Sequence, residues 1–170
     1  MRSHRSLALA LAAVPLAWAA SAGANDDASF VSKAARGGIV EVELGNYAAK
    51  HAANPSVRDF GRQMAVDHTE VNDSLEAVAR QERIDLPTAV GREQVEVVER
   101  LTRLEGAQFD RAYIEAMVKD HQEDLAVFRA QAKQDETAVD HWAALTVPTL
   151  ESHLERAKQV QQELSRRAAR

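Results

Sequence analysis

The residues able to do chemistry in this chain are chiefly histidines, because there are six of them and no cysteine. Three fall on apolar stripes at helical spacing. His68 lies between Met64 and Val71 with Leu75 a turn beyond, and His121 lies between Met117 and Leu125 with Phe128 beyond. His153 lies within the uninterrupted seam Leu150, His153, Ala157, Val160, Leu164. Residues three and four apart share a helix face, so each imidazole is expected to point inward from a different helix. One inward histidine is ordinarily a satisfied core residue. Three together bring nitrogens that each cost about 1–3 kcal/mol if buried without a partner. A shared metal ion would answer all three at once, as would a hydrogen-bonded network with water, and helical bundles build metal sites in their cores.

Carboxylates could complete such a site. Asp67 and Asp120 each precede a histidine and sit about 100° round the helix, at the edge of the core stripe, where they could ligate or orient an imidazole. In the first helix, Glu43 has Ile39, Val40 and Tyr47 within a turn, which favours a partly buried position. Glu41, beside Gly37, Gly38 and Gly45, would equally admit a close partner helix. The expected site is therefore His68, His121, His153 and Glu43, with Asp67 and Asp120 as ligands or supports. Such a donor set suits zinc, copper or nickel. The competing expectation is a non-catalytic interaction or stress-protective module whose histidines bond one another without metal. Glu70, Glu123 and Glu155 each follow a histidine by two residues, about 200° away, and are expected to face solvent. His51 is expected at a helix end, near the dipole's negative pole, and His141-Trp142 at a helix start.

Five amphipathic segments must position these groups. They are expected over Ser29 to about Ala53, Asn54-Pro55 to about Glu82, Thr88 or Ala89 to Leu104, Ala107 to Ala132, and from Thr137 onward. Asn54 reads as an N-cap with Pro55 at the first helical position. Thr137 and Asp140 read as a reciprocal cap. Gly37, Gly38 and Gly45 suggest close approach by a neighbouring helix, since each costs about 1 kcal/mol against alanine. Pro148 is expected to kink or restart the last helix. The fold class is all-α, an antiparallel bundle of four to five core helices. A Met-x-x-Asp-His motif occurs at Met64–His68 and again at Met117–His121, 53 residues on, with Phe60 matching Tyr113 and Glu43 matching Glu96. That repeat suggests two hairpins, first helix with second and third with fourth.

The chain has 170 residues with a net charge of −5, or −7 once Arg2 and Arg5 are set aside with the export segment described next. A net acidic chain argues against nucleic acid as a partner. The lack of cysteine excludes disulfides, thiolate metal sites and cysteine nucleophiles. No phosphate loop, nucleophile elbow or His-Glu-x-x-His motif is present. Residues 1–24 read as a cleaved signal peptide: Arg2 and Arg5, an apolar run from Leu7 to about Ala20, then Ala22-Gly23-Ala24 before Asn25. That run is short of the roughly 20 residues a membrane span needs, and no spanning segment follows. Residues 25–170 then form one exported domain, periplasmic if the source is Gram-negative. A homo-oligomer is compatible with the sequence.

Several ordered motifs resemble one family: Phe30–Ala35, Glu41–Gly45, Met64 with Asp67-His68-Thr69, Gly106–Tyr113, Asp120-His121, and Pro148–Leu150 with His153-Leu154. It is the bacterial domain-of-unknown-function family four-one-four-two, and the resemblance runs from about Ser29 to Val160. It implies an exported bundle of the ferritin-like superfamily without an established activity. Di-iron oxidases of that superfamily use Glu-x-x-His. Here the residues three before His68, His121 and His153 are Ala65, Val118 and Leu150, so that signature is missing and catalysis is not expected. Buried neutral imidazoles also imply stability that falls as pH drops through about 6.5.

Overall fold

The computed structural model describes residues 20–168, with side chains from Asp26 onward. Five helices follow in order: α1 (Ala20–His51), α2 (Pro55–Glu82), α3 (Arg92–Thr102), α4 (Gly106–Ala132) and α5 (Ala138–Ala168). Among the described residues there is no strand, and no helix is long and apolar enough to cross a membrane. Most of the expected export segment lies outside the described residues, and α1 begins before the expected Ser29.

Local signals set most of the helix ends. The Asn54 side chain accepts the Ser56 N–H at 2.8 Å, with Pro55 opening α2. Thr137 and Asp140 form the reciprocal cap: the Thr137 N–H donates to Asp140 Oδ2 at 3.0 Å, and the Asp140 N–H donates to Thr137 Oγ1 at 3.2 Å. Arg83 closes α2 in the left-handed conformation. Two expectations change. α3 starts only at Arg92, because Gly91 is extended and leaves Thr88–Val90 outside the helix. α5 does not restart at Pro148 but continues as one helix through that exposed residue. The carbonyl of Ala144, which loses its backbone donor to that proline, is on an exposed residue where water can satisfy it.

Polar ties fix the topology. Asp110, near the start of α4, accepts the N–H groups of Ala53 and Asn54 at 3.0 and 2.8 Å. Ser56, at the start of α2, donates to Glu163 near the end of α5 at 2.8 Å. At the opposite end, Gln131 of α4 donates to Asp27 of α1 at 2.7 Å. Thus α1 and α5 run one way, and α2 and α4 run the other. The chain must return along the bundle between α2 and α4, and α3 lies in that crossover. Leu101 and the Tyr47 hydroxyl, which donates to the Thr102 carbonyl at 3.0 Å, hold α3 in place. The tight hairpins are therefore α1–α2 and α4–α5. The expected pairing of third and fourth helices gives way, because α3 is too short to be a bundle helix. A single long crossover is the connectivity of ferritin-like bundles.

α1 and α2 touch backbone to backbone. A Cβ on Gly45 would stand 2.8 Å from the Gly61 carbonyl oxygen and 2.8 Å from the Ala65 nitrogen. Gly38 makes room for the Asn72 amide, while Gly37 has open space beside it. The core has two apolar halves. One surrounds Leu44, Phe60, Met64, Tyr113, Met117 and Val160, and the other surrounds Phe30, Leu75, Leu125, Phe128, Trp142 and Leu150. Between them lies a polar layer.

Candidate metal centre

His68, His121 and His153 occupy that layer, at 3%, 0% and 0% exposure. Each sits where its helix passes from one apolar half to the other: Met64 to Leu75, Met117 to Leu125, Ala157 to Leu150. One ligand atom from each lies within 4.8 Å of the other two. The ring centroids are 5.1–5.7 Å apart.

The outer nitrogens are committed. His121 Nδ1 is 3.0 Å from the Met117 carbonyl, which can only accept, so the proton is on Nδ1. His153 Nε2 donates to Asp67 Oδ2 at 2.8 Å. In neutral imidazoles this leaves a lone pair on His121 Nε2 and another on His153 Nδ1, and those two atoms face each other at 3.3 Å. Two lone pairs cannot form a hydrogen bond. Protonation would relieve the clash, yet burial holds the groups neutral. It pushes His121 down to about 3, helped by His68 and His153, and His68 down to about 4. Burial also lowers His153 against the pull of Asp67.

The remaining helix of the layer, α1, supplies Glu41, 2% exposed. Its Oε2 is 2.9 Å from His68 Nδ1, and its Oε1 is 3.6 Å from His121 Nε2 with no hydrogen-bond partner. His68 and Glu41 share one proton, and whichever atom carries it, His68 Nε2 is buried and unpartnered. Burial drives the Glu41 carboxyl well above the usual carboxylate range, and the charge of Asp124 adds to this.

Glu43 does not take part: it is exposed, and so is Ile39. Glu41 stands in its place because α1 turns Val40, Glu41, Leu44 and Ala48 inward. The matched Glu96 is exposed as well, whereas Met64, Met117, Phe60 and Tyr113 are all buried. Asp67 supports His153 from a half-buried position. Asp120 sits beside Glu41, close enough to hydrogen-bond its carboxyl when one of the two is protonated, and a second set of possible ligand atoms joins Glu41, Asp120 and His121. Burial, and then the charge of Glu41, raises Asp120 to about 7. Asp124 was not singled out from the sequence. It stands three residues after His121, half-buried, and is raised to about 6 by burial and by Asp120. That spacing was the available signal. Tyr113 was noted only in a motif; its hydroxyl is buried without a partner, and burial followed by the charge of Glu41 raises it.

Glu70, Glu123 and Glu155 face solvent as expected. His51 ends α1 and stacks on Tyr47, and His141 pairs with Asp135 on the surface at 2.9 Å.

The family model for a domain of unknown function, DUF4142, matches residues 12–160. The chain belongs to the DUF4142 family. Within this member of DUF4142, the family match covers the polar-layer residues of all four helices and ends inside α5. Neither a curated protein nor a solved structure matches the chain significantly.

Proposed function

We propose that this DUF4142 protein binds one divalent cation of the zinc, copper or nickel class through His68 Nε2, His121 Nε2, His153 Nδ1 and Glu41. The observation that carries the reading is the pair of facing lone pairs on His121 and His153, buried where protonation is disfavoured. A cation is the group that turns that repulsion into two bonds. The orphaned His68 Nε2 and Glu41 Oε1 fit the same ion. Three imidazoles and a carboxylate suit borderline divalent ions, and the outer hydrogen bonds to Met117, Asp67 and Glu41 are the supports that metal-ligating histidines require. Binding would fix Glu41 as the carboxylate and His68 Nδ1 as its donor, and would release a proton. Four protein donors make a closed set, which supports holding the ion rather than turning over a substrate at it.

Export by residues 1–24, into the periplasm of a Gram-negative source, is part of the same proposal and rests on the sequence pattern. Protein recovered from that compartment should begin near Asn25 by N-terminal sequencing. Metal analysis of this material, purified without a nickel column, should find about one ion per chain. Metal near zero, with melting unchanged by chelator or by added Zn²⁺, Cu²⁺ or Ni²⁺, would overturn the metal reading in favour of an interaction or stress-protective module.

A further inference from the structure

A cavity of about 240 Å³ opens between α1, α3 and α4, and Glu41 forms part of its floor. Gly37, Asp120 and Asp124 line its wall, with Lys33 and Glu123 among its other lining residues. The carboxylates grow more buried inward, from exposed Glu123 through half-buried Asp120 and Asp124 to Glu41. His121 belongs to both sets of possible ligands, His68/His121/His153 and Glu41/Asp120/His121. Its Nδ1 is tied to Met117, so Nε2 is the only atom it can offer to either. One ion can therefore occupy the two sets in turn, pivoting on His121 Nε2, but two ions cannot occupy them together.

We infer that this cavity is the route by which the cation reaches the three histidines, and that Glu41, Asp120 and His121 form a first docking position for it at the cavity floor. The unpartnered Oε1 of Glu41, buried and 3.6 Å from His121 Nε2, stands between the two positions. Two carboxylates and one imidazole hold the ion loosely while it sheds water; three imidazoles and Glu41 then hold it tightly. The inference rests on the proposed metal site. Another surface opening near the centre is a groove of about 560 Å³ between α2 and α5, lined by Ser152, Asp67 and His153. There His153 turns a protonated nitrogen toward Asp67, so that side presents an N–H rather than a lone pair to an arriving ion.

The test measures Zn²⁺ uptake and release by stopped flow against a fluorescent zinc indicator, on the full chain. Gly37→Phe places a ring in the cavity from a position where a Cβ meets nothing within 4 Å. Asp120→Asn and Asp124→Asn remove the carboxylates without filling space. Ser152→Phe obstructs the opposite groove. Loss of focusing charge or of access should slow uptake about tenfold. Release should slow equally in Gly37→Phe, leaving Kd unchanged, because a route affects both directions alike. Ser152→Phe should leave both rates as in wild type. Wild-type binding with unaltered rates in Gly37→Phe and Asp124→Asn, or slowing only in Ser152→Phe, would overturn the route while sparing the site. No binding by the wild type would overturn both.

Discussion

Two buried polar clusters in this bundle look alike by burial and differ in how their hydrogen bonds close. At one end, Gln131 Nε2 donates to Asp27 Oδ1 and Asp140 Oδ1 at 2.7 Å each, and Asp140 Oδ2 accepts the N–H groups of Glu136 and Thr137. Every hydrogen bond there ends on a donor or an acceptor of the protein. The histidine layer is satisfied only on its outer side. Inward it leaves facing lone pairs, an orphan imidazole nitrogen and an orphan carboxylate oxygen. A closed cluster ties elements together. An open one, held by fixed outer partners, is prepared for something that arrives.

The sharpest way to break the comparison is to remove one member of each cluster. His121→Ala should lower Zn²⁺ affinity by more than about 100-fold in calorimetric titration, since it removes a ligand and the pivot of both sets. Gln131→Ala should leave affinity unchanged. It should cost about 1–3 kcal/mol of stability in urea, by leaving Asp27 Oδ1 and Asp140 Oδ1 without their Gln131 donor. If Gln131→Ala weakens metal binding as much as His121→Ala, the two clusters are not distinct in kind.

The metal-free layer should also respond to pH in a way its histidines alone do not. Between about pH 6 and 4.5 the unfolded chain protonates His68 and His121, which the folded state keeps neutral, and His153, whose folded value burial lowers, and this destabilises the fold on acidification. Over the same window the folded state keeps protons on Glu41, Asp120 and Asp124 that the unfolded chain releases, which does the opposite. The two nearly cancel, so the expected fall through pH 6.5 is replaced by a plateau. Below about 4.5 the unfolded carboxyls protonate too, and stability should decline as pH approaches the folded values of His68, about 4, and His121, about 3. Asp120→Asn with Asp124→Asn should expose the imidazoles, giving a loss of about 2–3 kcal/mol per pH unit from pH 6 to 4.5. Thermal melts at the two pH values would show it. A double variant as flat as wild type would mean those carboxyls carry no proton.

A smaller effect should follow from the outer hydrogen bonds. Asp67→Asn keeps the shape but weakens the grip on His153 Nε2–H, and should reduce Zn²⁺ affinity about tenfold. An unchanged Kd would show that His153 needs no support to present Nδ1.

Much of this was legible before the fold. Inward-facing His68, His121 and His153 follow from apolar residues three and four positions away, a local pattern that survives any packing of the helices. The caps at Asn54-Pro55 and Thr137–Asp140 are equally local. The status of the third helix was not. Its Val95, Val98, Leu101 and Leu104 have a proper stripe, but Gly91 shortens it, and only the Asp110 and Ser56 ties reveal that it lies in a crossover.

The choice between Glu41 and Glu43 marks the boundary most clearly. They are two residues apart, about 200° round the helix, so at most one can join the histidines, and each has apolar or small neighbours to recommend it. The rotation of α1 about its own axis decides, and that rotation is set by the contact of Gly45 with Gly61 on another helix. The inward direction of each imidazole was written in its own turn of helix. Their convergence on one another, the Glu41 that completes them and the cavity leading to it required four helices in register, which packing across the bundle alone supplies.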